Sequence, residues 1–158
     1  MSQPHSAPAV VVKRVTDDTV LQRCLDIRKT VFVVEQEVPI ELELDEYDTL
    51  DADCVHFIAS PVDDDGLDAA VGTARMTRTA EGQGKAQRVA VLQDARGTGV
   101  GRALMHAIHE HARQQGLVEV VLGAQMSAIP FYERLHYEAY GPIFDDAGID
   151  HRMMRLAL

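Results

Sequence analysis

The stretch Arg88–Leu104, RVAVLQDARGTGVGRAL, decides how the rest of this chain is read. Ala86 to Leu92 is a β-rich run and predicts a strand. A loop follows through Arg96, and Gly97, Gly99 and Gly101 then open a helix. Val100, Leu104, Ala107, Ile108 and Ala112 lie 4, 3, 1 and 4 positions apart, which is one helical face. Gly116 supplies the left-handed stop. Glycine has no Cβ, so a ligand can come close to its backbone N–H. The helix start adds unpaired N–H donors and the positive end of the dipole. Together they form a pocket suited to a pyrophosphate, and the Arg96 cation would strengthen it.

Two other glycine-rich phosphate loops fail on spacing. A Walker loop closes on Gly-Lys-Ser or Gly-Lys-Thr, whereas this one closes on Gly101-Arg102-Ala103. A dinucleotide fingerprint reads G-x-G-x-x-G or Ala. Counted from Gly97 the last position is Arg102, and counted from Gly99 it is Leu104.

Working outward, Leu117 to Leu122 is β-branched on both faces and predicts a buried central strand, completing a strand–helix–strand unit. A short helix is expected from Ile129 to Leu135. Two closing strands are expected at Tyr137–Tyr140 and His151–Leu156, with GPIFDDAGID as a loop between them. Toward the N-terminus, Val10–Val15 predicts a first strand. Asp17 or Asp18 would cap a helix reaching toward Val34, and Pro39 ends it. Residues 40–53 are expected to be irregular, with one helical turn. Val55–Ser60, Ala69–Thr77 and Ala86–Leu92 are joined by short polar loops and predict an antiparallel meander. The sum is one α/β domain over residues 10–158, preceded by a flexible tail at residues 1–9.

The 158 residues are 46% apolar and 25% charged, which is ordinary globular composition. Residues 30–74 hold thirteen acidic groups and no Lys or Arg, while the flanks sum to +2 and +1, so one segment carries the whole net charge of −10. That sign excludes nucleic acid as a partner. The acidic segment reads either as a solvated face or as a field that steers a cation. Cys24 and Cys54 read as buried free thiols. No apolar run nears the roughly 20 residues needed to cross a bilayer, and no secretory signal opens the chain, so a cytoplasmic location is expected. His106, His109 and His111 lack the spacing and co-ligands of a zinc site, and no metal is expected.

The pattern Arg96-Gly97-Thr98-Gly99-Val100-Gly101 after the strand Val89-Ala90-Val91 resembles the GNAT superfamily of N-acetyltransferases. AQMSAIPFYERLHY (Ala124–Tyr137) looks like the family's second motif. VFVVEQEVP and FDDAGIDHRMM look like the small bacterial ElaA/YjcF-like members. The resemblance implies a mixed central sheet, antiparallel and then splayed parallel, flanked by helices. It implies acetyl-CoA as co-substrate and direct transfer to the amine of a small molecule or peptide. The backbone from Arg96 to Gly101 would hold the pyrophosphate, the Val89 N–H would face the thioester carbonyl, and Val91 would pair with the pantetheine arm. Tyr132 would protonate the leaving thiolate. Glu35 is the leading side-chain candidate for the base, with His56 and His151 behind it, and a water relay without a dedicated base stands level with Glu35. A non-catalytic acyl-CoA sensor and a longer acyl donor are the competing readings. A homodimer is the default assembly. Two departures stand out: His136 replaces a common Gly, and Gln125 a common Asn.

Overall fold

The computed structural model describes residues 9–158, so the expected tail lies outside the described residues apart from Ala9. The chain runs β1 (Val10–Arg14), α1 (Asp18–Arg28), α2 (Ile40–Glu43), β2 (Cys54–Pro61), β3 (Gly72–Arg78), β4 (Gly84–Val91), α3 (Val100–Gln114), β5 (Glu119–Gln125), α4 (Ile129–Arg134), β6 (Glu138–Asp146) and β7 (Ile149–Ala157). The seven strands form one sheet in the order β1-β2-β3-β4-β5-β7-β6. Only β4 and β5 run parallel, and every other neighbouring pair is antiparallel.

Side chains that alternate along the strands feed two cores. Phe57 and Ala59 point to the face covered by Val100, Leu104, Met105 and Ile108 of α3. Ile58 points to the face covered by Leu21, Cys24 and Ile27 of α1. The Asp17 carboxylate caps α1 by accepting from the Val20 N–H at 2.9 Å.

Three expectations are corrected. The first helix is not uniformly α: Lys29–Glu35 widens to π-helical turns. The GPIFDDAGID segment is not a loop. Its two strands continue to a tight turn at Ala147 and Gly148, both at positive φ (53° and 81°), as a two-residue hairpin of this hand requires. Gly and Pro oppose strand formation, but a register shift between Tyr140 and Phe144 absorbs Gly141 and Pro142. Cys24 and Cys54 are both free, but Cys54 is only half-buried.

Candidate functional site

The parallel pair is short. β4 and β5 match only at Gly84–Val120 and Lys85–Val121, then part. Between them opens a cavity of about 560 Å³, within the size range of small-molecule sites. Gln87, Val89 and Val91 of β4 line one wall, and Leu122, Gly123 and Gln125 of β5 line the other. Phe32 and Gln36, in and just after the π-helical turns, also line it, as do Tyr132, Phe144 and His151. Gln36 and Gln125 bridge the wedge, with the Gln125 amide donating to Gln36 Oε1 at 2.8 Å.

A bulge sits in the β4 wall. Thr73 pairs with Ala90 and Arg75 with Gln87, so Ala74 alone faces both Arg88 and Val89. Arg88 takes φ +54°, a left-handed conformation rare for a side chain of this size. A bulge inserts one residue and inverts the alternation beyond it. Ala86 therefore packs in the α3 core and Ala90 in the α1 core, although both positions are even. Val89 and Val91 pack against the α3 core while also lining the cavity.

Six charged side chains hold that bulge. Arg28 bridges Glu43 and Asp48, Arg75 bridges Asp48 and Asp45, and Arg88 bridges Asp45 and Glu43. The result is a closed ring of alternating charge, with each group in two ion pairs. Arg28, Arg75 and Glu43 are almost fully buried. Burial opposes the charge on Asp48, but hydrogen bonds from Arg28 and the Asp45 N–H, with the nearby guanidinium charges, lower its carboxyl to about 2. Burial and the Arg75 and Arg28 charges pull the Arg88 guanidinium down. Arg88 also donates from Nη2 to the Glu43 carbonyl at 3.0 Å, which ties the bulge to α2. The acidic segment is thus neither purely solvated nor purely steering. Glu43, Asp45 and Asp48 neutralise arginines that lie outside it in sequence.

At the same end of β4 the glycine loop opens α3. Gly97 and Gly99 take φ +77° and +89°. Gly99 is the N-cap, and no side chain caps the helix, so its first-turn N–H groups are free to meet an anion. A Cβ on Gly101 would come within 3.1 Å of Phe131 Cζ, so this glycine lets α4 pack against α3. Arg96 does not extend freely: its Nε–H donates to the Val91 carbonyl at 2.9 Å and its Nη2 to Glu35 Oε2 at 2.6 Å.

Tyr132 lines the cavity, is 8% exposed, and packs edge-on against Phe131 and Tyr137. Burial alone pushes its hydroxyl up to about 12. The structure does not bring Glu35 to the cavity wall; its carboxylate is taken by Arg96. His56 is a packed residue whose Nε2–H donates to the Tyr47 carbonyl at 2.9 Å. His151 does line the cavity. His109 is buried, shares a hydrogen bond with the Tyr137 hydroxyl, and is held down to about 4 chiefly by burial. Among the described residues no cluster of three or more His, Cys, Asp or Glu could hold a metal.

The family described as an acetyltransferase (GNAT) domain matches residues 60–158. The chain belongs to the GNAT acetyltransferase family. A chain of Bacillus subtilis (strain 168) that bears the name of an acetyltransferase is 37% identical over 143 residues, covering 90% of this GNAT chain and 93% of that one. The uncharacterized N-acetyltransferase YjcF of the same strain is 36% identical over 147 residues, covering 92% and 96%. The crystal structure of Escherichia coli ElaA superimposes with a TM-score of 0.78 at 25% identity, covering 93% of this chain and 99% of ElaA. Against that family pattern, His136 stands at φ +73°, the left-handed region glycine enters freely.

Proposed function

We propose that this GNAT domain transfers the acetyl group of acetyl-CoA directly to an amine, both substrates being bound together. The observation that carries the reading is that the parted strands, the bulge at Arg88–Val89 and the uncapped glycine loop share one end of β4. A pantetheine arm can run along β4 as a further strand, pairing at Val91, while Arg96–Gly101 holds the pyrophosphate. The bulge takes the Val89 N–H out of the regular ladder with β3. A fixed, desolvated N–H stabilises charge on a thioester oxygen without reorganising. Tyr132 keeps its proton at neutral pH and donates it once charge develops on sulfur. The same dry surroundings raise the proton affinity of that sulfur.

A thermal melt tests the reading. Acetyl-CoA or coenzyme A at 100 times its dissociation constant should stabilise by about 2.7 kcal/mol, raising Tm by roughly 5–10 °C. NAD should produce no shift. A flat response to both coenzyme species would overturn it.

The glycine loop has its own test. Gly99→Ala forces a Cβ into left-handed backbone and should cost about 1 kcal/mol. Gly116→Ala, at φ +74° at the far end of α3, imposes similar strain. Only Gly99→Ala should also weaken coenzyme A binding, read by calorimetry. Equal affinities in the two variants would remove Gly99 from the cradle.

A further inference from the structure

We propose that His151 is the base that takes the proton from the acceptor's ammonium group, so that the acceptor is a protonated alkyl amine. The proposal rests on the acetyl-transfer reading. Three observations on the imidazole carry it. Its Nδ1 lies 2.7 Å from the Ile149 carbonyl. A carbonyl only accepts, so Nδ1 carries the hydrogen and Nε2 is left with a bare lone pair. The ring stacks on Phe144, with centroids 5.7 Å apart and planes at 29°, which fixes its plane. Among the described residues no buried side-chain nitrogen or oxygen lacks a partner. Nε2 has no partner among the described residues, so it is not a buried atom, and the residue borders the cavity.

The surroundings suit a cationic acceptor. Opposite His151 on β5 is neutral Gln125, and on β6 is Phe144. Asp146, from the β6 end of the hairpin, lines the cavity, as do Ser127 and Tyr132 from the segment after β5. Asp150 and Arg152, its neighbours on β7, project to the other face of the sheet. The remaining charged groups of the cavity are Lys85, where β4 and β5 still pair, and Glu43, Arg88 and Arg96, which are held in ion pairs.

An alkyl ammonium group, near pKa 10, has no lone pair at neutral pH, whereas a neutral imidazole nitrogen without hydrogen offers one. Nε2 takes one proton from R–NH3⁺. The freed lone pair forms the C–N bond at the thioester carbonyl carbon. The C–S bond breaks with its electrons on sulfur, which takes the Tyr132 proton. The surplus proton on nitrogen returns to the Tyr132 oxygen, and His151 releases its proton to water. Amide, thiol and one proton result.

The test uses two amines as probes, benzylamine, which is protonated at pH 7, and hydroxylamine, which is largely neutral. His151→Gln should keep its stabilisation by acetyl-CoA. It should lose on the order of 100-fold in kcat/KM for benzylamine and less than about threefold for hydroxylamine. The acid limb of the benzylamine pH profile should disappear with it. Equal losses for both amines, or none, would overturn the assignment. Nitrogen-15 NMR of the wild-type imidazole should show the Nδ1–H tautomer; an Nε2–H tautomer overturns the proposal whatever the amines report. Failure of acetyl-CoA to stabilise the wild-type chain would instead bring down the transfer reading, and a correct tautomer would not rescue it.

Discussion

Asp48→Asn should destabilise the fold by about 3–5 kcal/mol, the loss expected when one partner of a buried ion pair is removed. The Asp48 carboxylate accepts from Arg28 at 2.5 and 3.0 Å, from Arg75 at 2.9 Å and from the Asp45 N–H at 2.9 Å. An amide keeps the shape but leaves two guanidiniums facing a neutral group, both of them nearly sealed from water. In a chain of this length the loss corresponds to a fall in Tm on the order of 10 °C. The pH dependence has a definite sign. The folded carboxyl titrates near 2, below its ordinary 3.8. Its contribution is therefore complete above pH 3.8 and drains away as pH falls toward 2. The Asn variant should lose that part of the acid sensitivity. A denaturant midpoint within about 1 kcal/mol of wild type would mean that water screens the ring after all.

Tyr132→Phe should lower kcat by about 100-fold or more while leaving coenzyme A affinity unchanged. The aromatic contacts support so clean a separation. The ring packs against Phe131 and Tyr137 at 4.9 and 5.7 Å between centroids, and Phe preserves both. Only the hydroxyl is lost, and its surroundings are apolar enough that burial alone raises it to about 12. The wild-type alkaline limb should then reflect groups other than Tyr132 up to about pH 11. Turnover that survives the substitution would make Tyr132 a packing residue of the α4 core and nothing more.

Much of the architecture was legible because it is written in local chemistry. The glycines at 97 and 99 are needed for positive φ, and the 4-3-1-4 spacing from Val100 to Ala112 made α3 readable. The meander followed from three β-rich runs separated by Asp and Gly turns. Gly141 and Pro142 misled the reading of the last hairpin, because a bulge tolerates residues that a regular ladder rejects.

The sequence by itself determined the α/β order, the glycine loop and its placement after a strand, since each depends on neighbours a few positions apart. Tertiary structure alone decided which charges meet. Arg28, Arg75 and Arg88 come from three different elements to close a ring with Glu43, Asp45 and Asp48, and a count along the chain saw only an acidic segment. Glu35 looked like a base by position, but folding set it against Arg96, 61 residues away. His151 was one of two histidines that the sequence offered as a base, and its neighbours in the fold fixed its tautomer and its plane. The physical reason is the same in each case. A side chain's proton affinity and availability depend on burial and on partners brought together by the sheet, and sequence spacing does not encode those distances.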